Sequence, residues 1–362
     1  MSNKQRTHPV ENSYSLIPCI AKLRPYRLAR AAATSTLVVL FAACGGGGGG
    51  GGTAPVGTTT TGATPALNVA TFTSVAMVGE LLTYTADTSN LTYSYTITDS
   101  QYGLTGKTAS GTLTPNSDGT YSLSGIDNAV IAVLPDGLML GAINENLNGT
   151  PTTIPIIGVS NPVTDIAAVA GTYNYVKRGC LGEACDTGYG TIQITSAGTW
   201  VLCPRGELSA GCAESTKSGT VGTVGTGKWQ LIENGAVIGT AIASTSNAGG
   251  TIFVDLTDHR TDGFGVGILV GSLQQSLNAA QTQGDWIAAT TTGQWATFAS
   301  SGTQINYKTL NGVPYTSANT FTVNEPWKGM AAAIGGSVLF AGTGLYMYEN
   351  NGGYAEIGVK IR

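Results

Sequence analysis

Apolar and polar residues alternate with a period of two along much of the chain after residue 67. Leu91, Tyr93, Tyr95 and Ile97 are interleaved with Thr92, Ser94, Thr96 and Thr98, the spacing of a strand with one buried face. Ala355, Ile357, Val359 and Ile361 alternate in the same way with Glu356, Gly358, Lys360 and Arg362. Between such runs stand Asp118-Gly119, Asp136-Gly137, Asn234-Gly235, Asn311-Gly312 and Asn351-Gly352. These residues accept the positive φ that two-residue hairpins require. Many short strands joined by such turns predict an all-β protein, as an antiparallel β-barrel or β-sandwich. Helix is expected to be scarce, in stretches of one or two turns. Asn161-Pro162 opens one before a stop at Gly171, and Leu273 and Leu277 mark another.

The segment 148–162 holds Pro151, Pro155 and Pro162 among several turn formers, a composition suited to a linker between packed units. It divides the β-rich region into a small β-unit, 67–150, and a larger barrel or sandwich, 163–362. The units are loosely self-similar without a fixed period, so no repeat is inferred. Before residue 67 the pattern is different. Residues 1–30 carry six basic residues, Lys4, Arg6, Lys22, Arg24, Arg27 and Arg30, against one acid, Glu11. The uncharged residues 31–43 would span only about 20 Å as a helix, short of a ~30 Å hydrocarbon core, so 1–43 reads as a signal peptide rather than a membrane span. Residues 45–52 are eight consecutive glycines, followed by a Thr, Gly and Pro-rich stretch. With no side chains to bury and the largest backbone entropy to lose, 44–66 is expected to be a disordered Gly/Thr tether.

Leu40-Phe41-Ala42-Ala43-Cys44 resembles the lipobox that ends the signal of a bacterial lipoprotein precursor. Phe41 departs from the more usual Leu at its position. The resemblance implies cleavage before Cys44, a diacylglycerol thioether on its sulfur (with an acyl chain, typically palmitate, on the new amino group), and outer-membrane residence, because Gly45 rather than Asp follows. Three acyl chains hold a protein where one binds only marginally, at ~0.8 kcal/mol per buried methylene. Whether the body then faces the periplasm or the exterior is not encoded in these residues. The opening Gly171-Thr-Tyr173 is similar to the Gly-x-aromatic start of lipocalin-type barrels, and Gly-Thr-aromatic recurs at Gly119 and Gly198.

Charge narrows the partners. Only 10% of residues are charged, and the net charge is −4, against roughly 25% charged in an average domain. Without the leader, 11 basic and 20 acidic residues remain, a net −9. No basic field is present to hold nucleic acid, and direct attraction to anionic membrane surfaces is weak. The outer membrane, through lipid on Cys44, is the expected attachment; a protein, glycan or lipid is the expected ligand. Strands this short and Thr-rich do not supply the lipid-facing band of a transmembrane barrel.

Chemistry is sparse. Cys180, Cys185, Cys203 and Cys212 are an even set in an exported chain, which predicts disulfides, with the local pairs 180–185 and 203–212 preferred. Their Cys-x4-Cys and Cys-x8-Cys spacing is wider than a zinc knuckle of two to four residues. Gly222-Thr-Val-Gly-Thr-Gly227-Lys228 matches a phosphate loop until Trp229, where Ser or Thr must hold magnesium. His259 is the only histidine after residue 44. With Asp255, Asp258 and Asp262 it forms a possible cation site, or simply a solvated hairpin turn. No metal centre, catalytic residue or cofactor is otherwise indicated. Trp200, Trp229, Trp286, Trp295 and Trp327 are expected mostly in the core, with a ligand-binding aromatic face as the alternative. Together the residues imply a lipid-anchored cell-envelope protein with a non-catalytic binding or scaffold domain. A lipocalin-like carrier of an apolar ligand and an exported hydrolase with unidentified carboxylates are the alternatives.

Overall fold

The computed structural model describes residues 69–362 apart from 213, 247–248, 334–335, 341–343 and 351–352. The expected signal peptide, Cys44, the expected tether and Asn351-Gly352 lie outside the described residues. The described chain is all-β and forms three closed, eight-stranded antiparallel barrels, each an up-and-down meander whose last strand pairs with its first.

The first barrel comprises β1 (Val69–Ala76), β2 (Glu80–Asp87), β3 (Thr92–Ser100), β4 (Thr108–Pro115), β5 (Tyr121–Leu123), β6 (Val130–Val133), β7 (Leu138–Leu147) and β8 (Thr150–Val159). A single helical turn, α1 (Ile166–Val169), precedes the second. That barrel comprises β9 (Gly171–Leu181), β10 (Ala184–Ile194), β11 (Thr199–Pro204), β12 (Lys217–Gly225), β13 (Lys228–Glu233), β14 (Ala236–Ser246), β15 (Gly249–Asp258) and β16 (Gly265–Leu273). A second turn, α2 (Ala279–Thr282), leads to the third. It comprises β17 (Gly284–Thr290), β18 (Trp295–Ser300), β19 (Gln304–Leu310), β20 (Val313–Val323), β21 (Ala331–Ala333), β22 (Gly336–Phe340), β23 (Leu345–Glu349) and β24 (Ala355–Lys360).

Two features of this division differ from the reading of the sequence. The stretch 148–162 is not a connector throughout: Asn148 and Gly149 have φ of 50° and 87°, a hairpin turn, and 150–159 is β8. Its prolines are tolerated because β8 pairs with β7 along its length but with β1 only from Ile156 onward. Pro151 and Pro155 therefore sit where one edge of the strand needs no donor. The region 163–362 holds two barrels rather than one. The two openings match: Asp165 caps α1 and lies six residues before Gly171-Thr-Tyr173, and Asn278 caps α2 six residues before Gly284-Asp-Trp286. A Cβ on Gly171 would come within 2.6 Å of Leu273, and one on Gly284 within 2.4 Å of the Arg362 carbonyl. Each glycine thus lets the first strand close against the end of its barrel.

Strand alternation sends one face into each barrel and the other outward. Phe72, Tyr84, Tyr95 and Ile97 fill the first barrel, and Tyr175, Trp200, Trp229 and Leu256 fill the second. Trp286, Phe298, Phe340 and Tyr346 fill the third, with ring centroids 5.2–6.3 Å apart. The outward faces are not all solvated. Val75, Leu140 and Ile157 of the first barrel, Val176, Phe253 and Val270 of the second, and Leu339, Met347, Ile357 and Val359 of the third belong to one shared core. β1 packs on β15 and β16, β9 on β22 and β23, and β7 on β24.

Both disulfides are present in the second barrel. Cys180–Cys185 closes the β9–β10 hairpin, and Cys203–Cys212 ties the end of β11 to the following loop. By the loop-closure relation, bonds enclosing loops this short contribute roughly 2–3 kcal/mol each. The unfolded, unreduced protein should therefore expose none of these four thiols to alkylation, and Cys203→Ser/Cys212→Ser should lower the denaturant midpoint. Four alkylated thiols would refute the pairing.

Candidate functional site

The acidic turn singled out in the sequence is dispersed by the fold. β15 ends at Asp258, and the alternation turns Asp255 outward and Asp258 inward. Asp258 accepts from Arg260 Nε at 2.9 Å and from the Phe264 amide at 3.0 Å. Burial alone would raise its pKa, but these hydrogen bonds hold it below the usual value. Arg260 also bridges to Glu233 of β13. His259 is exposed and pairs its Nε2 with Gln101 Oε1 of the first barrel at 2.8 Å. Asp262 offers its carbonyl to Lys217 Nζ at 2.7 Å. Asp255, Asp258, His259 and Asp262 therefore do not converge on one point. Among the described residues, no group of three or more His, Cys, Asp or Glu is placed to hold a metal ion. The spacing misled because a period-two strand sends successive acids to opposite faces. Gly222–Lys228 is likewise the β12–β13 hairpin, with Thr223 opposite Trp229 and Gly225 opposite Lys228.

Several buried polar constellations were not legible in the sequence. In the third barrel Glu356 points inward and accepts from Tyr346 at 2.9 Å, Tyr307 at 3.0 Å and Tyr354 at 2.5 Å. Burial raises the Glu356 pKa while the three hydroxyls oppose that shift. In the first barrel Glu145 accepts from Tyr95 at 2.7 Å and is bridged by Lys107. Between the first and second barrels lie Glu80 and Asp255, both with no exposed surface. Glu80 Oε1 accepts from Ser100 Oγ and the Gln101 amide, each at 3.0 Å. Its Oε2 and both Asp255 oxygens have no partner among the described residues. Burial pushes the Glu80 pKa up to about 7. It raises Asp255 well above the carboxylate range, with Asp99 and Glu80 adding repulsion.

The tryptophans divide by face. Trp200, Trp229 and Trp286 fill barrel interiors. Trp327 lies on the loop after β20 and donates Nε1–H to Asn174 Oδ1 at 2.8 Å, joining the third barrel to the second. Trp295 faces out of the third barrel. It lines a cleft of about 400 Å³ between the β4–β6 side of the first barrel and β17–β19 of the third. The apolar wall of this cleft includes Leu123, Ile126 and Ile287, and its rim carries Asp118, Asp127, Thr297 and Thr309.

No family model matches the chain. No curated protein matches it. Among solved structures it is similar to a double mutant of the vaccine antigen Transferrin Binding Protein B from Haemophilus parasuis Hp5, with 10% identity and a TM-score of 0.23 over 78% of this chain. The match covers 65% of that chain. A TM-score this low transfers neither a site nor a ligand.

Proposed function

We propose that this chain is a lipid-anchored binding protein of the bacterial cell envelope, held at the outer membrane through Cys44. In this reading it presents a rigid three-barrel body for recognition rather than catalysis. The observation that carries the reading is the use made of the sheet faces. Inward faces are packed with aromatic side chains, and much of the outward apolar surface joins the barrels. Eight strands enclose just enough room for side chains or one small ligand. Where Trp286, Phe298, Phe340 and Tyr346 occupy that room, a lipocalin-like cargo has none. Recognition then falls to hairpins and clefts on the outside. A hydrolase of the Ser-His-acid kind needs a serine hydroxyl on its imidazole, whereas Nε2 of His259 pairs with Gln101 Oε1.

Labelled palmitate tests the anchor. The wild type should incorporate label and fractionate with the outer membrane, and Cys44→Ala should do neither. Label in Cys44→Ala would overturn the proposal.

A further inference from the structure

The β19–β20 hairpin outruns the wall of the third barrel. β20 pairs with β19 out to Val313 but with β21 only at Phe321, Thr322 and Val323. From Val313 to Thr320 it therefore has a neighbouring strand on one side alone among the described residues, and seven of those eight residues are exposed.

Cross-strand partners share a face, which fixes where these side chains point. Ser317 stands opposite Tyr307, and Asn319 opposite Ile305. Ile305 is buried in the interior of the third barrel, and the Tyr307 hydroxyl reaches Glu356 inside it at 3.0 Å. Ser317 and Asn319 thus lie on the face that looks into the barrel. Asn319 is nevertheless exposed and Ser317 half-buried, because β21 stops short of them. Tyr315 joins this face: its ring is 43% exposed and meets Tyr307 edge-on at 6.1 Å. At a rise of ~3.4 Å per residue, Tyr315, Ser317 and Asn319 make a row roughly 14 Å long.

The row sets free polar groups beside an open aromatic ring. The side chains of Tyr315, Ser317 and Asn319 enter no hydrogen bond among the described residues. Asn319 offers a donor and an acceptor side by side, and Ser317 and Tyr315 offer a hydroxyl each. No residue from 309 to 324 is charged. Lys308 is paired with Asp285 at 2.6 Å. Glu356 is buried and already accepts from three tyrosine hydroxyls.

A phosphate or carboxylate finds no free cation on this row to offset the loss of its hydration. A cation finds no carboxylate to touch, and one open ring instead of a cage. A wholly apolar ligand would strand the polar groups of Ser317 and Asn319. The complement of an open ring and three uncharged hydrogen-bonding groups is a neutral molecule with a C–H face and adjacent hydroxyls. We infer that β20 binds a neutral saccharide chain, its rings on Tyr315 and its hydroxyls on Ser317 and Asn319. The inference rests on the recognition role proposed above and supplies its ligand class.

Titration of the full-length protein with maltotriose, cellotriose and chitotriose, followed by saturation-transfer NMR, tests it. Choline and inorganic phosphate serve as charged probes. At least one trisaccharide should bind at millimolar concentration. Tyr315→Ala/Asn319→Ala should weaken it about tenfold, the loss of a ring contact and a hydrogen bond. The melting temperature should not change, since both residues are exposed. Tyr315→Phe, which keeps the ring, should lose less than Tyr315→Ala. Leu181→Ala, at an exposed position of the second barrel, should bind as the wild type does. No trisaccharide binding at tens of millimolar, undiminished binding in the double variant, equal losses in the two Tyr315 variants, or binding of choline or phosphate alone would overturn the inference. The palmitate experiment reads Cys44 and not β20. Labelling without sugar binding therefore refutes only the β20 site, and sugar binding without labelling refutes only the anchor.

Discussion

Trp286→Ala should destabilise the protein by roughly 3–5 kcal/mol, the range for truncating a large aromatic in a closed core. Trp286 has no exposed surface. It stacks on Phe298 at 6.1 Å with planes 5° apart, and meets the edges of Phe340 at 5.5 Å and Tyr346 at 6.3 Å. Those three rings come from different strands of a closed barrel, so the wall cannot collapse inward without breaking ladder pairs. The hole should therefore stay open, and its cost should stay near the upper part of the range. For a cooperative unit larger than one barrel, the melting temperature should fall by about 10 °C. Val313→Thr, at a position 64% exposed, should change stability by no more than ~0.5 kcal/mol. Calorimetry of the two variants checks this. A loss below about 1 kcal/mol for Trp286→Ala would mean that the interior is loosely filled, and would restore the carrier reading that the packing argues against.

The strand pattern was legible to the extent that each strand had one polar face. β3 is such a case: Tyr93, Tyr95 and Ile97 point into the barrel and are buried, while Thr92, Ser94 and Thr98 are exposed. β24 is not. Its alternation is plain in the sequence, but Ile357 and Val359 face the core between barrels and Glu356 faces the inside of its own barrel. Both faces are buried, and no period-two pattern says which is which. Turn chemistry was a better guide: Asn234-Gly235 and Asn311-Gly312 have the paired positive φ of the hairpins they predicted. The same signal at Asn148-Gly149 was outweighed by three prolines that lie beside it.

The division into three barrels was hidden for a related reason. The connector 274–283, between the second and third barrels, contains neither proline nor glycine. Nothing in its composition marks a boundary. Its readable signal is the reciprocal cap of Asn278 and Gln281, set six residues before Gly284 as Asp165 is before Gly171. Such a match carries weight only when two copies are compared. The cleft was less legible still. Its walls come from segments near residues 116–130 and 287–312, and their approach is a product of barrel packing rather than of any local motif. Trp295 carries no sequence mark that separates it from Trp286, nine positions earlier.

Glu80→Gln should make the protein more stable at neutral pH and nearly unchanged in stability at pH 4. The Glu80 pKa rises from 4.5 to about 7 in the fold, chiefly because the carboxylate is buried at the seam between the first and second barrels. Below 4.5 the group is protonated in folded and unfolded chains alike, so pH does not distinguish them. As pH rises from 4.5 to 7 the unfolded chain releases its proton while the folded chain retains it, and stability falls across that window. Above 7 both forms are ionised and the full loss is in place. One pKa unit corresponds to ~1.4 kcal/mol; hydrogen bonds from Ser100 and the Gln101 amide already moderate the shift, and residual solvent screening leaves a net effect on the order of 2 kcal/mol. Of the groups around this seam, Asp99 and Asp255 add negative charge, Arg178, whose charge reaches Tyr102, donates its Nε–H to the Gly353 carbonyl, and His259 is turned to Gln101. Asp255→Asn should act in the same direction, because Asp255 is buried with both oxygens unpartnered. Denaturant midpoints of the wild type and Glu80→Gln from pH 4 to pH 8 measure the difference directly. The two curves should coincide at the acid end and separate progressively up to about pH 7; curves that run parallel throughout would show that Glu80 ionises in the fold as it does in water.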